Sequence, residues 1–253
     1  WYSRWLGPDR QLRVTALRDG TVQLAGGADP QPAKGAYELR NAAIRIVFAD
    51  PAAGFDCLAV ENLIEGTTRF VETRPEAPGL WKLEFRSPAP PKPAEADEAP
   101  APEPVFLSNR DPAARTGKLG RSKGKTELVL TWKGLDLPDE PDAIDVTCRV
   151  ALGSGNATSS WRINVTNRSK RLGLWEAQYP LLATVAPKGT ADVALPGGNW
   201  GGRLLRKSKS TCDAPYPSTR CPAQFMAFNR GDAGLYIAAH DGGARAKRLV
   251  VTA

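Results

Sequence analysis

One histidine, one methionine and four cysteines are spread over 253 residues, and no run of about eighteen apolar residues occurs anywhere. No helical membrane span is therefore expected. No charged-then-apolar leader ending in a small-residue cleavage site opens the sequence. Metal-ligand spacings of Cys and His are absent, and with His240 as the lone imidazole neither a metal site nor a cofactor is expected. A Gly-x-Ser-x-Gly elbow is missing too, which removes the usual support for a Ser-His-Asp nucleophile. No segment carries a convincing 3.6-residue apolar period, so no helix is predicted.

The net charge is +7, which invites a nucleic-acid reading. The positive residues cluster: Arg110, Arg115, Lys118, Arg121, Lys123 and Lys125 stand against the single acid Asp111, and Arg203, Arg206, Lys207 and Lys209 form a second group. Neither cluster has the interleaved aromatics that base stacking uses. Both read as solvated Gly/Ser-rich loops, and no nucleic-acid partner is expected.

What is abundant is punctuation. With 24 glycines and 22 prolines, the two residues together well exceed the ordinary share of about 12%. Short alternating apolar runs lie between the turn signals, about fourteen strand candidates in all, which predicts an all-β, antiparallel sandwich. Residues 10–24 read as a hairpin turning at Asp19-Gly20. The clearest hairpin spans 144–167: Val146, Cys148, Val150 and Leu152 share one face, and Trp161, Ile163 and Val165 share one face of the returning strand. Trp132, Trp161 and Trp175 fall on strand patterns and are expected in the core, as are Cys57 and Cys148 as buried thiols. A last hairpin joins 224–228 to 234–239, and a final run, 248–252, stops without an exit turn, so the chain reads as the front part of a longer protein.

Residues 87–104 are Pro/Ala/Glu low complexity, and a flexible insertion is placed over 87–109 within a single domain of residues 1–253. Cys212 and Cys221 bracket a loop with two prolines and no regular period. A disulfide there would restrain the loop and imply an oxidising compartment, secreted or periplasmic; the alternative is two thiols in a surface loop.

Certain stretches resemble a known family. Leu39 to Phe48 with Asn62-Leu63, Trp161 to Ser169 running on to Tyr179-Pro180-Leu181, and Gln224 to Phe228 with Gly234 to Asp241 are similar to the N-terminal β-sandwich of large bacterial glycoside hydrolases. In that family a galactose-mutarotase-like supersandwich precedes a barrel that holds the catalytic carboxylates. The resemblance covers about two thirds of the chain and departs from the family in the Pro/Ala/Glu insertion and the Cys212–Cys221 loop. It implies a non-catalytic domain of a carbohydrate-active enzyme, with a poly- or oligosaccharide and a C-terminal barrel domain as partners. The alternatives are a stand-alone carbohydrate-binding module and a mutarotase-like epimerase.

Glycosidic cleavage needs two carboxylates, and Glu176, Asp213, Asp232 and Asp241 are the candidate acids. His240 beside Asp241 has the order of a general base and its orienting carboxylate, or both side chains hydrogen-bond the turn ahead of Gly242-Gly243. Trp200, flanked by glycines, offers an indole face for a pyranose, with Asn199 and Arg203 for its hydroxyls. It could equally pack on a neighbouring domain or cap a sheet edge.

Overall fold

The computed structural model describes residues 36–64, 66–72, 79–88, 103–122, 124–184, 191–196, 202–206, 212–218, 221–230, 233–240, 243 and 245–251. Every regular element among them is a strand, and every strand pair is antiparallel. The all-β expectation holds. The hairpin at 10–24 lies outside the described residues.

The first sheet orders β1 (Tyr37–Arg40), β2 (Ile44–Phe48), β3 (Cys57–Asn62) and β4 (Thr68–Glu72) side by side. The third sheet hydrogen-bonds β5 (Lys82–Arg86) between β6 (Val105–Ser108) and the later β11 (Gly173–Gln178). Sequential pairing builds the second sheet, β10-β9-β8-β7, from β7 (Ala114–Ser122), β8 (Lys125–Leu137), β9 (Glu140–Gly153) and β10 (Ser159–Asn167). The C-terminal strands β12 (Ala191–Pro196), β13 (Gly202–Arg206), β15 (Phe225–Arg230) and β16 (Ala233–Ala238) form a fourth sheet, and β14 (Cys212–Tyr216) pairs with β17 (Lys247–Val251).

Alternation sets the burial. Trp161, Ile163 and Val165 lie opposite Val150, Cys148 and Val146 in the β9–β10 register, as the sequence pattern predicts. Leu128, Leu130 and Trp132 of β8 and Ile46 and Phe48 of β2 are wholly buried, and the first two sheets meet through Phe48 on Trp161 at 5.5 Å and Phe55 edge-on to Trp132 at 5.4 Å. Each such Leu, Ile or Phe stabilises the fold by about 1.5–3 kcal/mol through burial alone. Cys57 and Cys148 are buried, and burial pushes both thiols well above the ordinary range.

Several loops read from the sequence are strands. The flexible insertion placed over 87–109 ends too late: Val105–Ser108 is β6, paired along Lys82–Phe85, and Asn109 is fully buried. Four residues of alternation are too short a signal beside the low-complexity tract. The basic stretch 110–125 is not a loop over most of its length either. It forms β7, an outer strand paired with β8 from Ala114 to Ser122. Lys118 and Arg121 point from it into solvent, a charge placement that discourages a second chain from pairing with an open edge. The second basic group overlaps β13, and the cysteine-flanked loop contains β14, whose register runs from Cys212↔Val251 to Tyr216↔Lys247.

Asn109 pins three elements together. Its Nδ2 donates to Gly54 O at 2.9 Å and to Asp56 Oδ1 at 2.6 Å, and its Oδ1 accepts from Leu80 N at 2.7 Å. Its carbonyl accepts from Trp132 Nε1 at 3.0 Å. Gly54 and Gly79 both have positive φ, and a Cβ on Gly54 would stand 2.7 Å from Asn109 O while one on Gly79 would strike Asn109 Oδ1. Glycine is required at both places for conformation and for space.

Candidate ligand-binding face and groove

The third sheet has one face in the core and one outside. Leu83, Phe85 and Leu107 point inward. Lys82, Glu84 and Arg86 alternate outward with Phe106 of β6, which is 48% exposed. On the other edge β11 breaks register between Leu174, opposite Phe85, and Glu176, opposite Glu84, leaving Trp175 as the extra residue of a bulge. A bulge re-aims side chains. Trp175 is 66% exposed, which corrects the expectation of a core tryptophan; alternation failed because the bulge inserts one residue into the count.

The exposed indole is held from one side. The Arg86 guanidinium lies over it, 4.7 Å from the ring centre, while Arg86 Nε reaches Glu84 Oε1 at 2.5 Å. Lys82 Nζ sits 4.0 Å over the Phe106 ring in the same manner. Phe106, Glu84 and Glu176 stand in one row across three strands, so the two aromatic rings flank a charged strip about 10 Å wide at the ordinary strand spacing.

Beside Trp175 opens a groove of about 630 Å³, lined on the far side by Asn167 and residues 169–172. That wall is tied to the start of β9. Arg168 donates to both Asp145 oxygens at 3.0 Å and to Asp142 O at 2.8 Å. Ser169 Oγ donates to Glu140, Lys170 N–H donates to Glu140 Oε1 at 3.0 Å, and Asn167 Nδ2 donates to Leu172 O at 2.8 Å. The hydrogen bond from Arg168, with further help from Lys133, holds the Asp145 carboxyl well below the usual carboxylate range, and the Ser169 hydroxyl lowers the Glu140 pKa.

Two of the four candidate carboxylates come together in the structure. Arg248 of β17 reaches Asp213 of β14 with Nε at 3.1 Å and Glu176 Oε2 with Nη1 at 3.8 Å; Gln178 Nε2 donates to Glu176 Oε1 at 2.8 Å. Arg248 lowers the Asp213 pKa, so this carboxyl remains an anion under conditions where a general acid must hold a proton. A guanidinium shared between two carboxylates positions both of them.

His240 follows β16 and is exposed. Asp241, Asp232, Trp200 and Asn199 lie outside the described residues, and of Arg203 only the backbone in β13 is described. Cys221 is buried, with its N–H bonded to Ser218 O at 3.1 Å; the Cys212 side chain is outside what is described. Groups of three or more His, Cys, Asp or Glu able to hold a metal do not occur among the described residues, and no helix among them is long and apolar enough to cross a membrane.

Sequence reasoning passed over Trp175, Arg86 and Phe106. The one signal for them was the run Gly173-Leu174-Trp175-Glu176, in which the Trp interrupts strict alternation with Glu176 and Gln178. Set against models of known protein families, curated proteins and solved structures, the chain matches none.

Proposed function

We propose that the protein is a non-catalytic β-sandwich domain of a carbohydrate-active enzyme, of the galactose-mutarotase-like supersandwich type, working beside a barrel domain and contacting saccharide through its third sheet. The observation that carries this reading is the exposed Trp175 indole, fixed by Arg86 at 4.7 Å beside an open groove. A planar apolar face in a polar frame suits a pyranose ring, whose C–H face is apolar and whose rim is hydroxyl. Phe106 supplies a second ring across the strip. The Arg248 guanidinium shared by Glu176 and Asp213, which keeps the Asp213 carboxyl ionised, supports a binding role over an acid–base one. Location outside the cytoplasm belongs to the same reading.

The test is oligosaccharide-array binding beside hydrolysis of a panel of aryl glycosides by the 253-residue chain. Saccharide binding that Trp175→Ala abolishes, with no hydrolysis, is the expected result. Hydrolysis lost in Glu176→Gln would overturn the non-catalytic assignment, and an array on which nothing binds would remove the carbohydrate one.

A further inference from the structure

The groove beside Trp175 has a charge of one sign. Arg86, Lys170 and Arg171 line it, no carboxylate does among the described residues, and Leu172, Leu174 and the indole supply its apolar part. The acids nearby are turned to other work: Asp145 and Glu140 hold the wall from its outer side, and Glu84 pairs with Arg86 on the sheet face. Arg171 meets Asp139 at 3.2 Å, but both side chains are largely in solvent, and such a pair contributes little. Lys170 has no ion pair among the described residues, although its backbone is fixed by Glu140. Cations thus stand on both sides of the groove beside an aromatic face, and an anion lying between them would be shared among them.

Resting on the carbohydrate reading, we infer that the groove takes an anionic saccharide, one whose sugar ring stacks on Trp175 while its carboxylate or sulfate lies between Lys170, Arg171 and Arg86. The anion shares its charge with groups whose backbone is already anchored, so little ordering is required on binding. Arg86 serves both parts of the ligand, stiffening the indole from one side and presenting its remaining N–H donors to the acid. A single-stranded nucleic acid would also combine ring stacking with phosphate contacts. The groove favours the sugar because it offers one described indole beside compact cations rather than a succession of aromatic platforms along a basic track.

The experiment is isothermal titration of the 253-residue chain with an oligogalacturonate, its fully methyl-esterified form, a sulfated oligosaccharide and a single-stranded oligonucleotide. The acidic saccharide of one or other kind is expected to bind about 10-fold tighter than the neutral ester, with affinity falling as salt rises. Lys170→Ala combined with Arg171→Ala should weaken the acidic ligand about 10-fold and leave the ester unchanged; Trp175→Ala should weaken both. Equal binding of acid and ester, still dependent on Trp175, would overturn the anionic inference while the carbohydrate reading stands. Failure of every saccharide would overturn both, as would an oligonucleotide that binds more tightly than any of them. All three side chains are exposed, and an unchanged unfolding midpoint confirms that the variants are folded.

Discussion

Trp81 and Trp175 stand on the two sides of the same three-stranded sheet and have opposite fates. Trp81, just ahead of β5, is wholly buried and packs edge-on against Trp132 at 5.3 Å. Trp175 is two-thirds exposed and stacks only under Arg86. The difference does not come from the residue type or from local hydrophobicity. It comes from what surrounds each backbone: Trp81 is locked by Asn109, which bonds its N–H and carbonyl, while Trp175 sits in a bulge of an outer strand. The inner side of the sheet is built to hold the fold, and the outer side is left with surface that a ligand can use.

The contrast breaks most easily on the inner side. Asn109→Ala would leave Leu80 N–H and Gly54 O buried without a partner and remove one hydrogen bond to Asp56, which Arg110 also holds. A loss of about 3 kcal/mol is expected, at roughly 1–3 kcal/mol for each orphaned group. Urea unfolding measures it, and a loss under about 1 kcal/mol would show that Asn109 only fills space.

That node also shows why the sequence was legible in part. Long hairpins such as 144–167 announce themselves because every second side chain is apolar for many residues, and their faces follow. Asn109 has no such signature: a polar residue after a short strand reads as a loop, and its role depends on Gly54 and Gly79, which lie 55 and 30 positions away in sequence. The same applies to the candidate site. Trp175 was visible as an aromatic but its orientation was not, since a one-residue bulge reverses the face on which alternation places it. Glu176 was visible as an acid, whereas its ion pair with Arg248 depends on β17 coming alongside from the far end of the chain.

A smaller effect sharpens the view of the core tryptophan. The Trp81 indole Nε1 is buried without a hydrogen-bond partner among the described residues. Trp81→Phe therefore sacrifices volume but no hydrogen bond, and should cost about 1–2 kcal/mol. A cost near that of Asn109→Ala would mean that the indole N–H is satisfied after all, and hydrogen exchange of that N–H would reveal it directly.

Smaller again is the stability cost on the outer face. Trp175→Ala removes an exposed ring and one cation–π contact, and is expected to change stability by less than about 0.5 kcal/mol. The same substitution should abolish measurable saccharide binding. A large loss of stability would place Trp175 with Trp81 as a structural residue and dissolve the distinction between the two faces.

The smallest effect lies in the groove wall and depends on pH. Asp145 is held below its ordinary pKa, first by the hydrogen bond from Arg168 and then by Lys133 and Gly134 N–H. A carboxyl depressed in the folded state stabilises it at pH values above the unfolded pKa, about 3.9, and that contribution disappears as pH falls through the folded value. Asp145→Asn should therefore lower stability by a constant amount above about pH 5, with the gap to the parent protein closing below about pH 4. Because Arg168 loses one of its two anchors, the wall that follows it at 169–172 should also loosen, weakening acidic saccharide a few-fold at neutral pH without unfolding the sheet behind it. Thermal melts across the acid limb and titrations at neutral pH separate the two. If the gap failed to close in acid, the ion pair would not be what fixes the wall, and the hydrogen bonds from Arg168 to Asp142 O and from Ser169 and Lys170 to Glu140 would have to hold it.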